Sequence, residues 1–234
     1  MRHWTENRPY LFATGLFIID MVLAVPFVVA FKVLGLELEP LRLIIPIVQS
    51  IFVLWVIWHL GWLRTSGFSS KVQNIGVYWY PVLLAFVPLL VYGSIVVPAG
   101  PLLFYTAALF FTGVSEEGLA RGLVLRAVLP KGKWVALVFA GALFSVGHFT
   151  NLVFEDFSPI EMIEKLIVTF SFAILYGAVF LRTFNIWPLI ILHMIHDYAF
   201  LTSGTAGPYV VEAISLELSF GLAVVSLAYG TYVA

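Results

Sequence analysis

The sequence contains no cysteine and few charged residues. Without cysteine the chain has no disulfide framework, no thiolate metal site, no CxxC redox motif and no cysteine nucleophile. Charged residues make up 11% of the chain, whereas soluble globular chains contain about 25%. The net charge is -1 and no long basic run occurs, so nothing supports a nucleic-acid partner. These absences exclude thiol chemistry and a water-soluble fold.

Hydrophobic residues fill the chain instead, at 62% of 234 residues with a mean hydropathy of +1.03. The apolar positions are continuous instead of alternating, which favours membrane helices over a barrel. A helix needs roughly 20 apolar residues to cross the bilayer core. We therefore predict an all-α fold, a polytopic transmembrane bundle of about eight helices in contact with the lipid bilayer. The predicted helices cover residues 10–31, 41–63, 75–97, 102–129, 134–153, 162–181, 186–201 and 210–233.

The connections between these helices are short and contain no linker or repeat, which indicates a single domain over residues 1–234. Basic residues predict its orientation, because cytoplasmic loops collect Lys and Arg. With the N-terminus in the cytoplasm, the inner side holds Arg2, Arg8, Arg64, Lys71, Arg126, Lys131, Lys133 and Arg182, and the outer side holds Lys32, Arg42 and Lys165. We expect a multi-pass integral membrane protein with a cytoplasmic N-terminus.

Ionisable residues at membrane depth concentrate in three segments. Residues 115–121 read SEEGLAR in the fourth predicted helix, 144–148 read FSVGH in the fifth, and 193–197 read HMIHD in the seventh. An ionisable group costs several kcal/mol in lipid unless it is paired or hydrated. Three apolar helices that each carry such a group indicate a functional site, with a motif-bearing core at about residues 102–201.

Helical geometry places the two glutamates of the first segment on different faces of the helix. Glu117 and Arg121 are four residues apart with the acid first, which is the favourable order for an ion pair on one helix face. Glu116 points about 100° away from Glu117. We therefore expect Glu117 and Arg121 to neutralise each other and leave Glu116 free.

The third segment carries His193, His196 and Asp197 at spacings that place them on one helix face. There they can point into one cavity together with His148, with His196 as support for His193. A carboxylate with imidazoles in a partly dry pocket is what general-base activation of water requires. The carboxylate takes the proton, a histidine orients the water, and a second polar pair stabilises the developing oxyanion.

Each of these residues also has an ordinary structural explanation. The pair Glu117 and Arg121 can hold helices together, His148 can be a hydrogen-bonded packing residue, and Phe144 can be a core or lipid-facing residue. Asp20 is a lone polar position without a partner in the pattern. The catalytic interpretation depends on the co-occurrence of all three segments.

The three segments resemble the motifs of the CPBP family, the CAAX-processing and bacteriocin-processing-type intramembrane proteases related to the Rce1-like prenyl endopeptidases. That family shows EExxxR, then FxxxH, then HxxxN or a close variant. Here the first motif is Glu116-Glu117 with Arg121, the second ends at His148, and the third begins at His193. The order and the spacing both fit, and each motif lies on its own apolar helix.

The resemblance implies a role for each motif residue. Glu116 and His148 would activate the attacking water, and His193 with the residue four positions later would stabilise the oxyanion. Glu117 and Arg121 would shape the site, and Phe144 occupies the aromatic position of the second motif. The departure is Asp197 where the family more often has Asn, because an ionised Asp cannot donate a hydrogen bond to an oxyanion. A protonated Asp197, or one that orients His193, can still contribute.

We therefore predict an intramembrane endopeptidase that hydrolyses a peptide bond with a Glu/His-activated water and uses no metal or organic cofactor. Its substrate is a peptide or protein in or at the membrane, and nothing in the sequence identifies it as prenylated. One alternative is a zinc-dependent membrane protease, since Glu116, His148 and His193 are zinc-ligand types, although no HExxH motif occurs. The other is a transporter or non-catalytic membrane partner in which buried Glu and His form a proton relay.

Overall fold

A computed structural model describes residues 2–93, 99–153, 157–201 and 216–234 of the chain. Within these ranges the secondary structure is helical and contains no strand, which confirms the all-α prediction. The predicted residues 94–97 and 210–215 lie outside the described residues. The helices are α1 (Arg2–Asn7), α2 (Pro9–Val33), α3 (Leu41–Leu60), α4 (Trp79–Tyr92), α5 (Ala99–Glu117), α6 (Arg126–Val128), α7 (Lys133–Gly147), α8 (Pro159–Thr183), α9 (Trp187–Leu201) and α10 (Leu216–Val233).

The fourth predicted helix is not a uniform α-helix. After α5 the chain continues through a π-helical stretch, Gly118–Leu125, before α6 and a 3-10 turn at Leu129–Lys131. All eight residues of the π-helical stretch are buried. A Cβ added at Gly118 would lie 2.7 Å from Val53 Cγ1 of α3, so the absence of a side chain there permits the close contact between the two elements.

Four helical segments of the described chain are long and apolar enough to cross a bilayer: Pro9–Val33, Leu41–Leu60, Lys133–Val153 and Pro159–Thr183. Two shorter apolar helical segments are Ile75–Val91 and Leu218–Val233. The protein is therefore an integral membrane protein. The number of crossings and the side of the N-terminus stay predictions.

Helix packing brings the three motif segments together. α8 contacts α7 and α10, α5 contacts α3 and α9, and the π-helical stretch contacts α2, α3 and α7. α8 is the most buried of the four long apolar segments, and the absence of a side chain at Gly177 lets Leu137 of α7 approach it closely. α2 is mostly exposed, with valines and isoleucines such as Val22 and Ile18 facing outward as lipid contact requires. The motif residues of α5, the π-helical stretch, α7 and α9 thus meet inside the bundle.

Candidate active site

Glu117 is the centre of a buried ionic cluster. Its Oε1 atom accepts a hydrogen bond from Arg121 Nη1 at 3.1 Å and lies 2.9 Å from His193 Nδ1. Glu117 is fully buried and Arg121 is 2% exposed. The ion pair predicted from the spacing is therefore present, and His193 joins it from α9. Buried charges of opposite sign stabilise each other in this way only when they remain hydrogen-bonded.

Glu116 lies in a different environment from Glu117. Its side chain is 37% exposed, against 1% for that of Glu117, and it lines a cavity of about 250 Å³. Its Oε2 atom is enclosed, lies 3.7 Å from His193 Nε2 and accepts no hydrogen bond from the described residues. Because part of the Glu116 side chain is exposed and lines the cavity, a molecule that enters the cavity can contact it.

His148 lines the same cavity from the end of α7. Its Nδ1 atom lies 2.9 Å from the carbonyl oxygen of Phe144, one helical turn earlier. Because a carbonyl oxygen can only accept, this contact assigns the ring proton to Nδ1. The Nε2 atom of His148 is then the acceptor nitrogen of a neutral imidazole.

The Phe144 ring contacts residues from all three motifs. Its centroid lies 5.0 Å from that of the His148 ring and 6.4 Å from that of the His193 ring. The guanidinium carbon of Arg121 is 4.8 Å from the Phe144 centroid, within cation–π distance. Phe144 also lines the cavity, so its ring joins the three motifs at the cavity wall.

His193 bridges the carboxylates. Its Nδ1 atom faces Glu117, and its Nε2 atom lies 3.3 Å from Asp197 Oδ2 and 3.7 Å from Glu116 Oε2. An ionised carboxylate can accept hydrogen bonds but cannot donate them. These surroundings therefore suit a His193 imidazolium, which donates from both ring nitrogens. His193 and Asp197 share a helix face as expected. Neither is among the residues that line the cavity, contrary to the expectation that they point into it with His148.

His196 does not join this group, contrary to the expectation that it points into the same cavity. Its Nδ1 atom lies 3.3 Å from the carbonyl oxygen of Leu84 in α4, and its ring contacts those of Phe172 and Phe200. The reason is geometric. Successive helix residues are rotated by about 100°, so positions three and four after His193 fall on opposite sides of it. Asp197 turns towards the cluster and His196 turns away.

Two residues that the sequence pattern left aside also line the cavity. Asp20 of α2 is 2% exposed, and Gln49 of α3 donates hydrogen bonds from Nε2 to Asp20 Oδ2 at 3.0 Å and to the Asp20 carbonyl oxygen at 3.1 Å. Asp20, which has no partner in the sequence pattern, therefore has one in the structure. The partner lies 29 residues away, and the signal that could have found it is an amide in the middle of an apolar helix.

Tyr176 of α8 is a third residue that the motifs did not indicate. It is buried, and the guanidinium carbon of Arg121 lies 5.5 Å from its ring centroid. Arg121 therefore contacts two aromatic rings, those of Phe144 and Tyr176, besides its ion pair with Glu117. A tyrosine within an apolar helix gives no sequence signal for such a contact.

The zinc alternative requires Glu116, His148 and His193 as metal ligands. Among the described residues, no three His, Cys, Asp or Glu side chains are grouped so that they could hold a metal ion. Both nitrogens of His193 are directed at carboxylate oxygens, within 2.9 Å of Glu117 and 3.3 Å of Asp197. These contacts describe a hydrogen-bonded cluster of charged groups.

Fold and site together define a helical integral membrane protein in which carboxylate and imidazole groups from three helices meet beside a cavity. A family model described as Type II CAAX prenyl endopeptidase Rce1-like matches residues 98–199, the segment that contains all three motifs. This match confirms the resemblance to the CPBP/CAAX protease family and supports an intramembrane CAAX-type endopeptidase in general. No curated protein and no solved structure matches this chain.

Proposed function

We propose that this protein is an intramembrane endopeptidase in which Glu116 and His148 activate a water molecule to hydrolyse a peptide bond. The observation that carries the proposal is that these two side chains, from separate helices, line one cavity. Glu116 keeps an oxygen atom without a hydrogen bond from the described residues, and His148 presents an acceptor nitrogen. A pair of acceptors beside a cavity is what a general-base site for water needs.

The first step is the attack of water on the carbonyl carbon of the substrate. Glu116 accepts one proton of the water molecule, and His148 Nε2 accepts a hydrogen bond from the other, which orients the water. As the oxygen–carbon bond forms, the carbonyl oxygen becomes an oxyanion. We assign the stabilisation of that oxyanion to His193 Nε2, which lies 3.7 Å from Glu116 Oε2.

The second step breaks the carbon–nitrogen bond. Glu116 returns the proton that it took from the water to the departing nitrogen, which leaves as an amine, while the other product is the new carboxylic acid. No group is consumed, and the cluster returns to its initial protonation state. Glu117 and Arg121 keep their charges paired throughout and hold His193 in place from the other side.

Asp197 orients His193 in this proposal. The contact between its Oδ2 atom and His193 Nε2 at 3.3 Å stabilises the imidazolium and places its proton next to Glu116. A substrate carbonyl oxygen that approaches Glu116 would then compete for the same proton. An ionised Asp197 need not donate a hydrogen bond itself, which accounts for an acid at a position where the family more often has Asn.

The test is peptide cleavage by the purified full chain in lipid vesicles. The probes are a quenched fluorescent peptide with a prenylated CAAX end, its unprenylated form, and a mixed library of quenched peptides. We expect cleavage of at least one probe, and a loss of about 100-fold or more for Glu116→Gln and for His148→Ala. Glu6→Gln, which removes an exposed carboxylate on α1, is the matched control and should cleave normally.

Two outcomes would overturn the proposal. One is that no probe is cleaved, and the other is that Glu116→Gln and His148→Ala cleave as well as the native chain. Addition of a chelator separates the zinc alternative, because the proposed reaction should continue at an unchanged rate. Thermal unfolding of each variant shows whether a loss of activity reflects a loss of the fold.

A further inference from the structure

The cavity lining contains a polar pair besides its acid–base residues. Asp20 and Gln49 belong to α2 and α3, outside residues 98–199, so the family match assigns them no role. Asp20 is almost completely buried yet lines the cavity. Its Oδ2 atom accepts a hydrogen bond from Gln49, whereas its Oδ1 atom receives none from the described residues.

A buried carboxyl oxygen without a hydrogen bond is costly, and its neighbours offer no partner. The cavity wall that α2 forms around Asp20 is apolar, with Phe17, Met21 and Val25. If Asp20 served only to hold α2 against α3, its hydrogen bonds with Gln49 would be sufficient. Gln49 already donates to Oδ2 and to the carbonyl oxygen of Asp20. The remaining Oδ1 atom is therefore not explained by helix packing.

A peptide in this cavity would need hydrogen-bond partners for its own backbone groups. To reach Glu116 and His148, the scissile segment must leave water, and each N–H and C=O group that finds no partner then costs free energy. The α2 wall offers such a group one polar side chain, Asp20. Its carboxyl group suits a peptide in either protonation state, because the ionised form accepts from an N–H and the neutral form donates to a C=O.

We propose that Asp20 is a substrate-binding residue whose Oδ1 atom hydrogen-bonds to a peptide group of the substrate next to the scissile bond, and that Gln49 holds it in position. This inference rests on the proposed endopeptidase function. It assigns α2 and α3 the task of aligning the extended peptide in the cavity that Glu116 also lines. Asp20 takes no part in proton transfer, so its loss should weaken substrate binding more than it slows the chemical step.

The experiment compares variants of the full chain in lipid vesicles on whichever fluorescent peptide the native chain cleaves. For Asp20→Leu we expect KM to rise about tenfold, the effect of one lost hydrogen bond to a buried group, with kcat changed less than about threefold. Asp20→Asn keeps both a donor and an acceptor and should restore most of the native KM. Gln49→Leu keeps the Asp20 carboxyl group but removes the hydrogen bond that holds it in position, so we expect a smaller rise in KM.

The matched control is Ser50→Ala, next to Gln49 on the same helix. Ser50 Oγ donates a partly buried hydrogen bond to the carbonyl oxygen of Phe111, and Ser50 does not line the cavity, so its loss should weaken helix packing and leave the cavity unchanged. Its KM should stay native while its unfolding temperature falls. Fluorescence anisotropy of the same peptide, bound to Glu116→Gln with and without Asp20→Leu, measures binding without cleavage and should show the same loss of about tenfold.

An unchanged KM and unchanged peptide binding in folded Asp20→Leu and Gln49→Leu would overturn the inference. So would an Asp20→Asn variant that is as impaired as Asp20→Leu. If Asp20→Leu does not fold, the Gln49→Leu and Asp20→Asn values decide the question. These failures differ from a failure of the proposed function, which would appear as absence of cleavage by the native chain.

Discussion

Glu116 and Glu117 are adjacent in the chain, and the structure gives them separate environments. Glu117 is fully buried, and one of its oxygens serves both Arg121 and His193. Glu116 is partly accessible and lines the cavity. Two neighbouring carboxylates would repel each other if both were unpaired, so the positive groups on one side make an ionised Glu116 beside them less costly. In the proposed reaction, the ion pairs of Glu117 thereby help to keep Glu116 ionised.

Asp197 gives the first prediction at this scale. Its carboxylate holds His193 Nε2 at 3.3 Å, and an Asn in its place would still accept that hydrogen bond through its amide oxygen. We expect Asp197→Asn to keep kcat/KM within about tenfold of the native value and Asp197→Ala to lose about 100-fold. Steady-state cleavage of the fluorescent peptide by the two variants measures the difference.

The stability of both variants is the control, since neither should unfold at a temperature far from the native one. If Asp197→Asn were as inactive as Asp197→Ala, the negative charge itself would be required and the orienting role would be insufficient. If Asp197→Ala cleaved at the native rate, Asp197 would have no part in the reaction.

Contacts within a helix could be predicted from spacing, whereas contacts between helices could not. The pair Glu117 and Arg121 follows from four residues of separation on one element, and the structure contains it. The hydrogen bond between Gln49 and Asp20 joins residues that are 29 positions apart, and spacing sets no distance between them. The contact of His193 with Glu117 is of the same kind. The motifs indicated that these helices meet but not which atoms do.

At the scale of elements, the π-helical stretch Gly118–Leu125 is the feature that the sequence did not predict. Apolar periodicity identified a helix over residues 102–129, but hydrogen bonds from i to i+5 leave no mark on composition. The stretch begins directly after the two glutamates and carries Arg121. Such insertions are frequent at functional sites. Here the stretch follows the two glutamates and packs against α2, α3 and α7.

Gly118 supplies the prediction for this element. A Cβ atom there would lie 2.7 Å from Val53 Cγ1, so Gly118→Ala must push α3 and the π-helical stretch apart. We expect a destabilisation of about 1–3 kcal/mol from overpacking, together with reduced cleavage. Thermal unfolding in detergent and the peptide assay measure the two effects.

Two further variants separate crowding from the general effect of alanine. A Cβ atom added at Gly15 of α2 would have nothing within 4 Å, so Gly15→Ala should be neutral or slightly stabilising. Adding Val53→Ala to Gly118→Ala should recover part of the lost stability, because it removes the opposing methyl groups. A Gly118→Ala variant as stable as Gly15→Ala would contradict the packing explanation.

At the scale of the whole molecule, residues 98–199, which match the family model, and the helices that precede them contribute different parts of the cavity. Residues 98–199 carry the motif residues, while α2 and α3 close the cavity and supply Asp20 and Gln49. The motif-bearing part matches a family model, and each of its motifs is spaced along one stretch of helix. The surrounding wall depends on packing between distant helices, where many apolar sequences serve equally well. In the proposed function, substrate selection therefore belongs to the part of the chain that sequence comparison describes least.

Membrane orientation gives the prediction at this scale, and the absence of cysteine makes it simple to test. Single-cysteine variants at Glu6, Glu37 and Lys131, which are all exposed, can be labelled with a thiol reagent that does not cross membranes. α2 separates Glu6 from Glu37 and is long enough to cross the bilayer. Because basic residues collect in the cytoplasm, we expect Glu37→Cys to react in intact cells, and Glu6→Cys and Lys131→Cys to react only after the cells are opened.

The native chain, which has no thiol, is the blank for each measurement. Labelling of Glu6→Cys and Lys131→Cys in intact cells would reverse the predicted orientation. Labelling of Glu6→Cys and Glu37→Cys from the same side would show that α2 does not cross, although its length and hydropathy permit it.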